Sequence, residues 1–221
     1  MLGFSTAKLW AQSLHIEGEW RGRAGLLSEP APRSGESEGI LAGTQVAVGE
    51  TWHAVETLKV GDMVTTFDHG PQPLKNIRRM PLWTGAGTCP LGAMPLAVPE
   101  GAMGNAQTLL LLPDQGVLVE SDLADAIFDD PFALIPAAAL EGFRGIERVT
   151  PHQRLDVYRL EFEGEELVYA NGTGMIHCPA SGMDDVTRLL MIGEEEPLYR
   201  MLPLDIARRL VEGLEEEWGA A

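Results

Sequence analysis

The sequence contains few cysteines, few basic residues and no long apolar run. Its 221 residues include two cysteines, Cys89 and Cys178, too few for a disulfide framework or for a zinc site by themselves. No apolar stretch reaches the about 18 residues that suggest a membrane-spanning helix, so we expect no membrane span. The N-terminal residues lack an uninterrupted apolar stretch followed by a small-residue cleavage site. This predicts a cytoplasmic location, although secretion through a C-terminal signal stays open.

The chain is strongly acidic. It has 16 Lys and Arg residues against 33 Asp and Glu residues, which gives a net charge of −17. Nucleic acids and anionic lipids repel such a chain, so we expect no nucleic-acid binding. The simplest role of the charge is solubility.

Motifs for metals and cofactors are also absent from the sequence. The histidines show no i, i+4 pair, and there is no CxxC, phosphate-binding loop or GxSxG in a suitable context. Two carboxylate pairs are better explained as a turn or a helix start than as acid/base pairs. We therefore expect neither a metal nor a cofactor. The five histidines are His15, His53, His69, His152 and His177, and the carboxylate pairs are Asp129-Asp130 and Asp184-Asp185.

Short apolar runs separated by turn signals predict a mainly β fold. Apolar residues make up 45% of the chain, enough for a core. The stretch 155–174 alternates most clearly and predicts a hairpin that turns at Glu163-Gly164. Residues 122–140 predict a short helix followed by a strand, and residues 81–95 a loop. Strands are also predicted at 44–48 and 63–67, with turns at Gly49-Glu50 and Gly61-Asp62.

The two ends of the chain differ from this β pattern. Residues 1–27 place Phe4, Leu9, Trp10 and Leu14 on one face of a possible helix, with a strand as the alternative, and residues 28–39 resemble a linker. Towards the other end, 184–193 predicts a short helix. Residues 204–218 predict an amphipathic helix, which we expect to pack on its own domain rather than to bind a partner. Its predicted apolar positions are Ile206, Ala207, Leu210, Val211, Leu214 and Trp218.

Five segments of the chain form a recognisable series of motifs. They are GTQVAV (43–48), VETLKVGDMVTTFDHGPQPL (55–74), LLLLPDQGVLV (109–119), FDDPFALIPAAAL (128–140) and VYRLEFEGEELVYANG (157–172). In this order they resemble the Hedgehog/intein (Hint) domain family, and most closely its alphaproteobacterial subgroup. The second segment is similar to the family hallmark V-E-x-L-x-V-G-D-x-V-x-T-x-D-x-G-x-Q-P.

The resemblance implies a fold, a division of the chain and a chemistry. The family fold is a compact β horseshoe, which here would span residues 39–179, with an N-terminal extension at 1–38 and an acidic helical extension at 180–221. In the family, a cysteine at the first position attacks the preceding carbonyl and forms a thioester. A histidine in the central motif donates to the leaving amide nitrogen.

Both reacting positions are replaced in this chain. The alignment places the cysteine at Gly39, which has no side chain, and the histidine at Gln115, which cannot transfer a proton near neutral pH. Leu112 stands at the family's serine or threonine, and Gly116 stands at its arginine. The motif therefore predicts no intact catalytic residue.

Three other residues are weak candidates for a displaced reaction. Thr44 carries a hydroxyl but falls inside the family's first strand. His177 and Cys178 are similar to the histidine and nucleophile at the end of inteins, although a His-Pro pattern near this position is also ordinary in the subgroup. Cys89 lies in a predicted loop without an adjacent base, which indicates a thiol without a catalytic role.

The sequence thus predicts a Hint domain that is inactive in self-cleavage and acts as a binding or assembly module. The alternative is an autoprocessing domain that uses a displaced nucleophile. An unknown protein partner could bind through residues 1–38 or through the C-terminal helix.

Overall fold

The computed structural model describes residues 38–83, 89, 91–151, 155–181 and 198–219. The predicted helix at 184–193, most of the N-terminal extension, His15, His152 and the pair Asp184-Asp185 lie outside these residues. Within them the chain is mainly β, as predicted, with one short helix and one long C-terminal helix. No helix in the described ranges is long and apolar enough to cross a lipid bilayer.

The described strands form two antiparallel sheets. In the first sheet the strand order is β11-β7-β8-β1-β12-β6, and in the second it is β10-β9-β14-β13-β2-β4-β5, with β3 paired to β2. The strands are β1 (Ile40–Leu41), β2 (Gln45–Val48), β3 (Thr51–Ala54), β4 (Met63–Thr66), β5 (Gly70–Pro73), β6 (Asn76–Trp83), β7 (Leu96–Val98), β8 (Leu109–Leu111), β9 (Gly116–Glu120), β10 (Phe132–Pro136), β11 (Glu147–Arg148), β12 (Leu155–Glu161), β13 (Glu166–Ala170) and β14 (Gly174–Cys178).

Two helices complete the described regular structure, together with 3-10 turns. Helix α1 (Asp122–Phe128) begins after Ser121, whose Oγ accepts hydrogen bonds from the amides of Leu123 and Ala124. Helix α2 (Leu204–Gly219) is the predicted amphipathic helix. The 3-10 turns are Val55–Thr57, Leu91–Ala93, Ala137–Leu140 and Phe143–Gly145.

The apolar face of α2 packs on the domain, as predicted. Ala207, Leu210, Val211 and Leu214 are buried, and the helix contacts α1, β10 and the two 3-10 turns of residues 137–145. These residues join the main core, which both sheets share. Burial of this face removes it from the surfaces available to a partner.

The prediction of a hairpin over 155–174 is wrong, because its two strands lie in different sheets. Strand β12 pairs with β1 and β6 in the first sheet, whereas β13 pairs with β14 in the second sheet, with Glu166 opposite Cys178. The bend at 163–164 carries the chain from one sheet to the other instead of reversing it. The strand itself is confirmed, but its burial does not alternate: Val157 packs with Leu41, whereas Leu160 and Phe162 join the main core. Apolar content indicates a strand but does not choose its partner strand.

Several local predictions are confirmed, and one loop begins later than expected. Gly49 and Gly61 adopt positive φ at their turns, and Asn171 and Gly172 have φ of 47° and 121° between β13 and β14. Residues 81–83, predicted as loop, instead complete β6.

Candidate functional site

Gly39 and Gln115 meet directly in the structure. The Gly39 amide donates a hydrogen bond of 2.8 Å to Gln115 Oε1, although the two residues are 76 positions apart in sequence. Gly39 lies immediately before β1, and Gln115 lies immediately before β9. The two positions at which the motif predicts the cysteine and the histidine are therefore brought together.

Hydrogen bonds fix the orientation of the Gln115 amide. Its Nε2 donates to the backbone oxygens of His177 at 2.8 Å and of Gly116 at 3.2 Å. Both partners can only accept, so the nitrogen must face them and the oxygen must face Gly39. The Gln115 side chain is 2% exposed. Buried and with both ends engaged, it is a fixed structural contact.

Backbone contacts hold Gln115 at this place. Its amide donates to the Leu112 oxygen at 3.0 Å, and its own oxygen accepts from the Ala137 amide at 2.9 Å. The next residue, Gly116, packs against His177, because a Cβ built on Gly116 would lie 3.0 Å from the His177 Cβ. A larger residue here would require His177 to shift by a few tenths of an ångström, so glycine suits this close approach.

The conformation at Gly39 does not suit a side chain. Its φ is 134°, which L-residues rarely adopt, and an added Cβ would lie 2.4 Å from Val157 Cγ1. Val157 is itself buried in β12. A cysteine could enter this position only if the local backbone or Val157 moved.

The two C-terminal candidates lie beside this pair. His177 and Cys178 line the same small cleft as Gly39, Gln115 and Arg159, and the cleft has a volume of about 10 Å³. This is about the smallest space that can hold one water molecule. We call it the small cleft.

The Cys178 thiol is not activated in the described structure. Cys178 is 2% exposed, and burial raises the pKa of its thiol far above the ordinary range; the Glu166 carboxylate adds to the rise and Arg159 opposes it. A buried neutral thiol is a poor nucleophile. Glu165 Oε1 lies 4.0 Å from His177 Nε2.

Thr44 is not brought to the small cleft. It is buried in the turn before β2, where its amide donates to Leu41 and its backbone oxygen accepts from Val55. It is absent from the residues that line the cleft. Its position serves the turn.

The remaining polar candidates have structural contacts. His53 is exposed on β3 and contacts Thr51 Oγ1 at 3.1 Å. Asp129 ends α1 in a left-handed conformation, and Asp130 accepts from the Phe132 amide, as expected for a turn. Within the part of the chain that the structure describes, no group of three His, Cys, Asp or Glu residues could hold a metal ion.

The sequence analysis missed a second, larger cavity of 730 Å³ on the second sheet, which we call the aromatic groove. Its apolar lining includes a cluster in which Leu118, Leu134 and Leu167 are buried. The lining comes from five separate segments, so no motif marks it. Its lining residues are Phe67, Asp68, His69, Leu118, Phe128, Asp130, Phe132, Ala133, Leu134, Leu167, Leu198, Tyr199, Arg200 and Leu202.

Polar contacts define one wall of the aromatic groove. The Tyr199 hydroxyl donates to Asp68 Oδ2, and its amide donates to Glu165 Oε2 at 3.3 Å. His69 Nδ1 lies 3.0 Å from Glu166 Oε2, and this carboxylate raises the pKa of His69 through a hydrogen bond and its charge. The Tyr199 ring also contacts the His177 ring edge to face, at 5.9 Å between centroids. This contact joins the aromatic groove to the small cleft.

Comparison with known proteins identifies the family. The model of the Hint domain matches residues 39–175, which is more than half of the chain, and the chain therefore belongs to the Hint domain family. No curated protein matches the chain.

Two solved structures with low sequence identity are similar. One is the solution structure of a bacterial intein-like domain from Clostridium thermocellum, with 15% identity and a TM-score of 0.45; the match covers 63% of this chain and 98% of that one. The other is the AceL NrdHF class 3 split intein, a glutathione-linked, splice-inactive variant, with 11% identity and a TM-score of 0.36; the match covers 65% of this chain and 98% of that one.

Proposed function

We propose that this protein is a Hint domain that no longer cleaves itself and that acts as a binding or assembly module. The observation that carries the proposal is the hydrogen bond from the Gly39 amide to Gln115 Oε1. The family reaction needs a nucleophile on residue 39 and a proton donor aimed at the nitrogen of residue 39. Here Gly39 has no side chain, and Gln115 accepts a hydrogen bond from that nitrogen instead of donating a proton to it.

The direction of this hydrogen bond opposes the reaction. Cleavage of an amide requires a proton to reach the leaving nitrogen. Gln115 Oε1 has no proton to give, and its Nε2 protons already bind the oxygens of His177 and Gly116. Reorienting the amide would break both of these hydrogen bonds, at a cost of about 1 kcal/mol each.

The same proposal covers the organisation of the chain. We propose a Hint domain at 39–179, an N-terminal extension at 1–38 and an acidic extension at 180–221, in a cytoplasmic bacterial protein. Because the apolar face of α2 is packed on the domain, residues 1–38 become the better candidate for contact with a partner.

Intact-mass spectrometry tests the loss of self-cleavage. The purified chain is incubated for a day with and without dithiothreitol, which would attack a thioester. We expect one mass, equal to that of the complete sequence, in both samples. Two fragments whose masses sum to that of the chain plus one water, or a thiol adduct on the N-terminal fragment, would contradict the proposal.

One observation favours an alternative, autoprocessing with a displaced nucleophile. His177 and Cys178 share the small cleft with Gly39, so a nucleophile and a base lie near the family's scissile bond. This alternative predicts a cut near residue 38 or 178. Cleavage that disappears in Cys178→Ala or in Thr44→Ala would establish it; fragments that persist in both variants would exclude these two nucleophiles.

A further inference from the structure

We propose that Arg159, which lines the small cleft, anchors a binding site for a small, singly charged carboxylate. Arg159 lies on β12 and shares the cleft with Gly39 and Gln115. The inference concerns binding and not the family reaction, so it does not depend on the proposed loss of self-cleavage.

Arg159 is a partly buried cation without a partner in the part of the chain that the structure describes. Its Nε is buried and makes no hydrogen bond, and none of the described carboxylates forms an ion pair with its guanidinium. A guanidinium carries several N–H donors and keeps its charge, so a partly desolvated and unpaired arginine raises the free energy of the fold. An anion from outside the domain would relieve this cost.

The neighbouring described cations, on and beside β6, do have carboxylate partners. Arg159 is the exception among them, although the chain contains 33 acidic residues. The absence of a partner is therefore specific to this position and is not a property of the surface. The three neighbouring ion pairs are Lys75 with Glu163, Arg78 with Glu161 and Arg79 with Asp156.

A second arginine stands directly across the sheet from Arg159. In the pairing of β12 with β6, Arg159 lies opposite Arg78, and like charges in this position repel each other. The nearby carboxylate of Glu161 is already engaged, because Arg78 Nε donates to its Oε1 at 2.7 Å and Asn76 Nδ2 to its Oε2 at 3.0 Å. A further anion beside Arg159 would reduce the repulsion between the two arginines.

The dimensions of the small cleft favour a small, flat group. Although Gln115 closes the cleft against Gly39, a space of about 10 Å³ lined by Arg159 remains. This is room for about one non-hydrogen atom, such as a single carboxylate oxygen. A guanidinium binds the two oxygens of a carboxylate side by side, so the second oxygen can stay outside the cleft. A water molecule fits the same space but does not neutralise the arginine.

The surrounding charge favours a carboxylate over a phosphate. Glu38 also lines the small cleft, and Glu161 lies two residues further along β12 and therefore on the same face as Arg159. These carboxylates and the net charge of −17 repel a doubly charged phosphate more strongly than a singly charged carboxylate.

NMR of the arginine Nε–H groups in the full-length chain tests the proposal. Sodium formate is titrated at constant ionic strength against sodium chloride, and the Nε–H signal of Arg159 is followed and assigned by its loss in Arg159→Gln. Arg148 is the internal control, because its Nε already donates to both oxygens of Glu141, at 3.0 and 2.9 Å.

Formate should shift the Arg159 signal along a curve that saturates, and the Arg148 signal should not move. Binding should also raise the Tm of the natural chain in formate above its value in chloride. Arg159→Gln should weaken formate binding at least about tenfold, because it removes a charge-assisted hydrogen bond. Arg79→Gln is the matched control variant and should keep the effect, since Arg79 is paired with Asp156.

Three results would overturn the proposal. Arg159 shifts that are equal in formate and chloride, or equally large shifts at Arg148, would mean that water alone satisfies Arg159. Tighter binding of inorganic phosphate than of formate would show that the site is not selective for a carboxylate. If Arg159→Gln does not fold, the titration of the natural chain still decides between these results. Self-cleavage is visible in the same samples as a loss of the full-length mass, so the two proposals fail separately.

Discussion

The small cleft and the aromatic groove lie on either side of the contact between His177 and Tyr199, and they differ in almost every other respect. The small cleft has about 10 Å³ of space and is closed by hydrogen bonds from Gln115. The groove has 730 Å³, and its lining is aromatic and aliphatic, with charged groups at the margin. The cleft that holds the Gly39–Gln115 contact is therefore closed, whereas the aromatic groove has a far larger volume.

Under the proposed loss of self-cleavage, this difference illustrates how a fold persists without its reaction. The hydrogen bonds and glycine conformations of the small cleft hold two sheets together whether or not chemistry occurs there. Asn171 illustrates the point, since its side chain accepts from the Gln45 amide at 2.7 Å and donates to the Thr108 oxygen at 2.9 Å. Such contacts can preserve a sequence motif whatever groups stand at the reacting positions.

The largest expected loss of stability follows from adding a side chain at Gly39, in the small cleft. Gly39→Ala should lower the free energy of unfolding by about 3 kcal/mol, because its Cβ meets Val157 and its φ is positive. Gly43→Ala is the matched control, with φ of 90° and nothing within 4 Å of an added Cβ, and should lose about 1 kcal/mol. Urea denaturation measures both values.

Adding Val157→Ala to Gly39→Ala separates the contact from the backbone strain. If the collision with Val157 is the main cost, the double variant recovers stability relative to the sum of the two single variants. Equal losses at positions 39 and 43 would contradict the close packing that we describe at Gly39.

The next largest loss of stability is expected when the hydrogen bonds that close the small cleft are removed. Gln115→Leu leaves the Gly39 amide and the His177 oxygen without their partner, so we expect a loss of about 2 kcal/mol in urea denaturation. Gln107→Leu, at an exposed position, is the control and should change stability little. A Gln115→Leu variant as stable as the control would show that the hydrogen bonds of the Gln115 amide do not stabilise the fold.

A smaller loss of stability is expected when the hydrogen bond between Tyr199 and Asp68, at the wall of the aromatic groove, is removed. Tyr199→Phe removes the hydroxyl that donates to Asp68 and keeps the ring against His177. We expect a loss of about 1 kcal/mol, since the group is partly exposed. Tyr169→Phe is the control, because no hydrogen bond of the Tyr169 hydroxyl to a described residue is found. Equal effects in the two variants would argue against the bond to Asp68.

The smallest effect is a pH dependence at the groove margin. Glu166 raises the pKa of His69 in the folded protein, so the stabilisation is complete below the unfolded value of about 6.5 and is lost as the pH rises through the raised folded value. Stability should therefore fall more steeply from pH 6 to pH 8 in the natural chain than in His69→Gln.

His53→Gln is the control for this pH series. His53 lies on the edge strand β3, contacts Thr51 and has no carboxylate partner among the described residues. Its replacement should leave the slope unchanged. The same slope in the natural chain and in His69→Gln would contradict the ion pair between His69 and Glu166.

Much of the local structure could be predicted from the sequence, but strand pairing could not. Turns at Gly49 and Asn171 were identifiable because few residues accept positive φ. The apolar residues of 155–161 identified a strand, although burial along it does not alternate. Its partners, β1 and β6, are remote in sequence, and the choice between them and the adjacent β13 depends on how the sheets pack.

The same limit applies to the sites. Resemblance to the family located Gly39 and Gln115, yet only the fold shows that one donates a hydrogen bond to the other across 76 residues. His177 and Cys178 were weak candidates that the fold does place at the small cleft, although burial leaves the thiol unreactive. The aromatic groove was invisible, because Phe67, Phe132 and Tyr199 come from separate segments.

The hydrogen-exchange rate of the Gly39 amide, measured by NMR, tests the central claim most directly. If Gln115 closes the small cleft, this amide exchanges slowly in the natural chain and becomes fast in Gln115→Leu while the amides of β9 and β14 stay protected. A Gly39 amide that exchanges quickly in the natural chain, or at the same rate in both proteins, would mean that the small cleft is not closed by this hydrogen bond.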